Sequence, residues 1–303
     1  MSNRKKFAAA VLVLCLLAAA LLIYLGVSEL QDRRAGQDYY AGLANAVVPM
    51  TATPTAPAPA VTEAPAVPSP SATEASVQPV PTATPAPVTP VPTATAAPAT
   101  PVPTATVTPV SALDFAALRQ TMPDVVGWIV IEGTNIHYPV VQGIDNDYYL
   151  NHLPDGTANR SGSIMLDADN LPDWSDDLNV VHGHRMRTGD MFGSLHLFAE
   201  AAYAQEHLNM ILYTPGGDYR IELIAACTVD GKQLGFPTNF RDDAAFDAYV
   251  SVLVRNSAYR AGWLPQREDR LIILSTCAYT YDNARFVLLG RLTPLTAEAL
   301  PAE

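Results

Sequence analysis

Between residues 46 and 110 the chain is built almost entirely from Pro, Thr, Ala and Val, and it holds 17 of the 26 prolines there. Proline has no N–H to give to a helix or a sheet ladder, and no side chain in the stretch is large enough to build a core. The pentamer Val-Pro-Thr-Ala-Thr returns at positions 80, 91 and 102, and the only charges are Glu63 and Glu74. This composition predicts an extended, polyproline-II-biased, disordered stalk, with a ceiling of roughly 200 Å at about 3.1 Å per residue. A low-complexity spacer is the plain reading; a wall-binding or glycosylated stalk is the alternative. Either way, folded structure is confined to what lies on each side.

Ahead of the stalk, residues 7–27 contain no charge. Helix at about 1.5 Å per residue carries such a run across roughly 30 Å, a bilayer core. Arg4, Lys5 and Lys6 precede it, whereas Glu29, Asp32, Arg33 and Arg34 follow. The cation bias predicts a cytoplasmic tail at 1–6, a transmembrane signal anchor at 7–27 and everything later outside the cell. A cleaved signal peptide would show a shorter apolar run and a small-x-small site beyond it, which 24–29 does not offer. A lipoprotein signal would need a small residue before Cys15, where Leu14 stands. Residues 28–45 are then a juxtamembrane segment, and the stalk is expected to lift the next domain off the membrane surface.

Residues 111–295 suffice for one good core, leaving 296–303 as a tail. A net charge of −12 argues against a nucleic-acid partner, which favours a basic face. Residues 111–122 read as a short amphipathic helix ended by Pro123. Short β-branched or aromatic runs follow at 127–131, 137–141, 163–166, 178–181, 210–213, 219–225, 271–276 and 285–290, separated by Gly, Asp, Asn and Pro turns. One longer helix is expected over 242–258, from Phe246, Tyr249, Val250 and Leu253 at helical spacing. Eight strands, few helices and no βαβ alternation predict a mostly β (α+β) domain, a closed or nearly closed barrel.

Of three cysteines, Cys15 lies in the apolar span and Cys227 and Cys277 in the folded part. Cys277 directly follows the apolar run 271–274, and a strand end exposes a side chain on a rigid base. Arg285 opens the next strand; if the two strands pair, both residues share one rim. A guanidinium there favours the thiolate and can hold an oxyanion. Alone, such a cysteine is more often packed and inert, and such an arginine more often a solvated charge. His182 and His184 leave the 178–181 run together. A His-x-His pair can bind zinc but needs a third ligand. His137, His152, His196 and His207 stand in polar or surface-like contexts and are assigned no role.

The motif Asp-Val-Val-Gly-Trp-Ile at 124–129, then Gly-Thr-Asn-Ile-His-Tyr-Pro-Val-Val-Gln at 133–142 and Asp-Asn-Asp-Tyr-Tyr-Leu at 145–150, resembles class B sortases. So do Ser-Gly-Ser-Ile-Met-Leu-Asp at 161–167, His-Gly-His-Arg-Met-Arg-Thr-Gly-Asp-Met-Phe at 182–192, Leu-Ser-Thr-Cys-Ala-Tyr at 274–279 and Asn-Ala-Arg-Phe at 283–286. The resemblance spans 111–292, with the motifs in order and at matching intervals. It implies a sortase-type eight-stranded barrel, with the helix at 242–258 as the extra helix of class B. It also implies a cysteine transpeptidase with Cys277 as nucleophile, His184 as proton carrier and Arg285 as oxyanion stabiliser; His182 stands where the family has tyrosine. Asn146, Ser275 and Thr276 fall at substrate-side positions. The implied partners are secreted proteins bearing a C-terminal sorting signal, Asn-Pro-x-Thr or a relative, and a peptidoglycan cross-bridge or precursor amine, on the outer membrane face of a Gram-positive-type cell. No cofactor or metal is implied. An L,D-transpeptidase would place arginine two residues after cysteine, which this chain does not. A non-catalytic surface module on a sortase-like barrel, or a processing protease, are the other readings.

Overall fold

The computed structural model describes residues 3–47, 111–278 and 283–295. The stalk expected at 46–110 and the tail at 296–303 lie essentially outside the described residues. Strands β1 (Val125–Ile131), β2 (His137–Val141), β3 (Ile164–Leu166), β4 (Leu178–His182), β5 (Met210–Tyr213), β6 (Tyr219–Asp230), β7 (Ser257–Arg260), β8 (Leu271–Cys277) and β9 (Ala284–Pro294) form one sheet. Its order is β5-β1-β2-β3-β4-β8-β9-β6-β7, and an added β5–β6 pairing closes eight of the nine strands into a barrel. The β2–β3 and β4–β8 pairs are parallel; every other pair is antiparallel. Closure removes the open edges that a single twisted sheet would present.

Two expected helices change length. The 111–122 helix shrinks to α2 (Phe115–Leu118), capped by the Asp114 carboxylate on the Ala117 N–H. Beyond Leu118 the chain tightens through bonds from Gln120 N–H to Ala117 O and from Thr121 N–H to Leu118 O. That turn swings Met122 into the core, where it is fully buried. The later helix is α5 (Asp243–Arg255), capped by Asp242 on the Ala245 N–H. It stops at Asn256, and the residues after it form β7 against β6. Two further short helices, α3 (Ala201–Glu206) and α4 (Gly231–Leu234), sit on connections.

The N-terminal helix runs without interruption as α1 (Asn3–Ala46), about 66 Å at 1.5 Å per residue. The two segments expected at 7–27 and 28–45 are thus one continuous helix. Residues 11–27 of it are exposed, whereas Gly36 and Tyr40 are buried against the barrel. Asp32, Gly36 and Tyr40 follow at four-residue spacing and share one face. At its end, Leu43 and Val47 pack on the apolar cluster of Leu113, Phe115, Met122 and Trp128, which Ala112 also joins. Inside the barrel Ile129, Val140, Ile164, Trp174, Phe192, Leu274 and Leu288 build the main core. A second cluster joins α5 to the outer faces of β6, β8 and β9 through Phe246, Val250, Leu253, Ile273 and Val287.

Candidate active site

β8 and β9 run antiparallel with Cys277 opposite Arg285, so the backbone ladder alone brings the two side chains to one rim. Arg285 Nη1 donates to Cys277 Sγ at 2.8 Å, and the thiol is half-buried. A charged N–H at that distance stabilises a thiolate, and the planar guanidinium has donors to spare for a neighbouring oxygen. Asn283 turns the chain into β9 with φ of 62°, a left-handed conformation that asparagine tolerates. Gly231, whose N–H bonds Asn283 O at 3.1 Å, lies under the arginine stem. A Cβ there would come 2.8 Å from Arg285 Cγ, so a side chain at 231 would displace the guanidinium. Asp230 fixes this corner by accepting from the Lys232 and Gln233 N–H groups.

Cys227 is built the other way. It is buried among apolar side chains, and burial pushes its thiol up to about 12.

His184 comes from β4. There His182 is opposite Ser275 in the parallel β4–β8 pair, and Gly183 N–H continues the ladder to Ser275 O at 3.1 Å. Two residues past that pair on each strand stand His184 and Cys277, so both emerge at the same end of the barrel. A Cβ on Gly183 would lie 2.5 Å from Ile164 Cδ1 and 2.6 Å from Phe192 Cδ2; only glycine lets the chain cross these buried side chains. His184 Nε2 bonds the Leu150 carbonyl at 2.6 Å. A carbonyl only accepts, so Nε2 carries the hydrogen and Nδ1 is the nitrogen open to proton exchange.

His182 turns elsewhere. Its Nε2 bonds Asp167 Oδ2 at 2.8 Å, and its ring meets Phe236 edge-on at 5.9 Å. Burial raises the Asp167 carboxyl, but bonds from His182, the Asp169 N–H and Asn146 outweigh this and hold it below the usual carboxylate value. Asn146 accepts from the Ala168 N–H at 2.8 Å, so it belongs to the Asp167–His182 network. Ser275 and Thr276 are buried, and their hydroxyls find no hydrogen-bond partner among the described residues. The two imidazoles thus have separate partners, and no group of three or more His, Cys, Asp or Glu side chains among the described residues is placed to hold a metal ion.

Sequence reasoning missed four contributors: the Leu150 carbonyl, Gly183, Gly231 and Asp167. Backbone groups leave no residue-type signal. The glycines could have been noticed, since each sits where a strand ends beside a proposed site residue.

Residues 129–293 match a family model described as a sortase domain. Sortase B of Listeria monocytogenes serovar 1/2a is 30% identical over 177 residues, 58% of this chain and 72% of that protein. Sortase B of Staphylococcus aureus is 27% identical over 180 residues, 59% and 74% of the two chains. Among solved structures, Clostridium perfringens sortase B superposes with a TM-score of 0.56 at 31% identity, covering 59% of this chain and 100% of that one. Bacillus anthracis sortase B in complex with AAEK1 gives 0.55 at 30% identity, covering 60% and 84%. Barrel and relatives together define a cysteine transpeptidase. The chain belongs to the sortase family, and within that family its relatives are of class B.

Proposed function

We propose that the protein cleaves a C-terminal sorting signal after threonine and transfers the threonine carbonyl to a cell-wall amine, with Cys277, His184 and Arg285 as the catalytic set. The Cys277 thiolate attacks the threonine carbonyl carbon, and the electron pair of the C=O moves onto oxygen, where Arg285 donates to it. The C–N bond breaks as His184, an imidazolium that holds on Nδ1 the proton given up by the Cys277 thiol, passes that proton to the departing amine, leaving a thioester and a neutral imidazole. An amine of the peptidoglycan cross-bridge or its precursor then attacks the thioester and loses a proton to His184. The C–S bond breaks and the thiolate returns. Asn146 holds the edge of the site through Asp167, and Ser275 and Thr276 line the strand beneath substrate. The 2.8 Å contact between Arg285 and Cys277 carries this reading, because it gives one cation both jobs.

The apolar half of α1 is long enough to span a membrane. Arg4, Lys5 and Lys6 just before it support a cytoplasmic N-terminus and a barrel on the outer face, where exported substrate and wall precursor meet. The test is transfer by the full chain in detergent, with peptides of the form x-Pro-x-Thr-x and an amine acceptor. A Cys277-linked acyl mass should appear and vanish on adding amine, and Cys277→Ala should abolish both. Transfer persisting in Cys277→Ala refutes the proposal.

A further inference from the structure

His184 stands beyond the end of β4, on a stretch with no ladder of its own. Two segments hold it. The first is its own connection, 184–193, which folds back through Phe192 N–H to His184 O at 2.9 Å and Met191 N–H to Tyr138 Oη at 3.0 Å. The second is 149–163, whose Leu150 carbonyl receives His184 Nε2. The two arms of that second segment are tied by Asn159 N–H to Asn151 O at 2.9 Å and Ser163 N–H to Tyr149 O at 2.8 Å. Gly162, at φ +58°, lies so close that a Cβ would sit 2.5 Å from Leu150 O.

The far half of α1 grips both segments. Asp32 O accepts from Asn159 Nδ2 at 2.8 Å, and the Asp32 carboxylate accepts from Arg160 N–H at 3.0 Å. One turn on, Gly36 lets the helix approach, since a Cβ would lie 2.7 Å from Ser161 Oγ. One turn further, Tyr40 Oη donates to Gly162 O at 2.5 Å, across 122 positions of sequence. On the other segment, Gln37 Nε2 donates to Asp190 at 2.7 Å, and the Tyr40 ring meets Tyr138, the residue that holds Met191, edge-on at 5.1 Å. By contrast, β8 and β9, which carry Cys277 and Arg285, take no hydrogen bond from α1 among those described.

We infer that the docked half of α1 positions the catalytic histidine: Asp32, Gly36, Gln37 and Tyr40 fix the two segments that set His184, so the membrane helix is part of the catalytic machinery as well as its anchor. This rests on the reading of His184 as the proton carrier. Small displacements of a proton-transfer group are costly, with 1 Å worth as much as a hundredfold in rate.

The full chain, reconstituted in lipid nanodiscs, tests it with Gly36→Leu, which forces the helix off 159–162, and Tyr40→Phe, which removes one bond and keeps the ring. Gly36→Leu should lower kcat for transfer about tenfold, and Tyr40→Phe about threefold. KM and the rate of Cys277 alkylation should stay within about twofold of wild type, because the nucleophile is held by other strands. Placed in a His184→Ala background, Gly36→Leu should cause no further loss, as expected of two changes acting through one group. Equal losses in both backgrounds, or an unchanged kcat in Gly36→Leu and Tyr40→Phe, overturn the inference. If Cys277→Ala or His184→Ala retains full transfer, the assignment of the site fails first; if both are inactive and the α1 variants are normal, only the inference falls.

Discussion

The two sides of this site are held by different kinds of structure. Cys277 and Arg285 face each other across adjacent antiparallel strands, and seven consecutive paired positions of β8 and β9 fix their register. A ladder of that length resists slippage, because a shift by one residue would turn Leu274 and Leu288 out of the core. His184 has no ladder beneath it. Its ring bonds a carbonyl from one loop and follows a glycine crossing at 183, and the segments around it contact a helix far away in sequence. The proposed nucleophile on a rigid floor and the proposed proton carrier on an adjustable arm should respond differently to change, and that difference can be measured.

The largest effect belongs to the rigid side. Arg285→Lys keeps the charge but loses the planar fork, and kcat should fall by about 10² to 10³, the range for removing one oxyanion donor. Substrate turnover by the full chain measures this, and near-wild-type turnover would leave Arg285 without its assigned role. Next, Gly231→Ala pushes on the arginine stem and should cut turnover by about tenfold while lowering the melting temperature by only about 2–4 °C, since one off-rotamer side chain costs about 1 kcal/mol. On the adjustable side, Gly183→Val drives a side chain into Ile164 and Phe192. Overpacking of this kind costs about 1–3 kcal/mol, and thermal unfolding should show a drop of about 2–4 °C per kcal/mol. An unchanged melting temperature would mean that the arm has room the structure does not show.

The pH dependence of stability sharpens the contrast further. Asp167 has a depressed folded-state value, so its contribution is present above the ordinary carboxylate value and disappears as pH falls through the folded one. Urea midpoints for Asp167→Asn should therefore decline less steeply than wild type below about pH 4; parallel curves would contradict this. The smallest effect separates the two cysteines of the barrel. Iodoacetamide near neutral pH should modify Cys277 and spare Cys227, whose buried thiol stays protonated. Labelling of Cys227 in the folded protein would show that the α5-side cluster opens.

What could be read from sequence follows the same division. Runs of Ile, Leu and Val between turn residues announced all eight barrel strands, and the interval from Cys277 to Arg285 suits a hairpin whose ends meet. The Phe246, Tyr249, Val250 and Leu253 stripe placed α5, though not its end. Residues 257 and 258 read as the end of that helix rather than as the start of β7, because their alternation is weak and their pairing with β6 is a tertiary event. The helix expected over 111–122 was overstated because Met122 is called into the core by packing, which local propensity does not report. His184 is singled out by its motif, yet its surroundings leave no trace there, since Leu150 acts through a backbone atom and Tyr40 through a contact 122 positions away in sequence. The juxtamembrane residues looked like a featureless connector, and only the spacing of Asp32, Gly36 and Tyr40 hinted at a buried face.

One detail of the packing bears on how such chains can change. Val47, where α1 ends, and Ala112, where the fold resumes, rest on the same patch around Leu113 and Phe115. The described residues at the two ends of the proline-rich insertion, Val47 and Ala112, therefore pack on one apolar cluster. The entropy of closing such an excursion grows only logarithmically, about 0.6 kcal/mol for each doubling. Gain or loss of an eleven-residue unit is therefore nearly neutral for folding, so the tract can lengthen or shorten at little cost to the barrel.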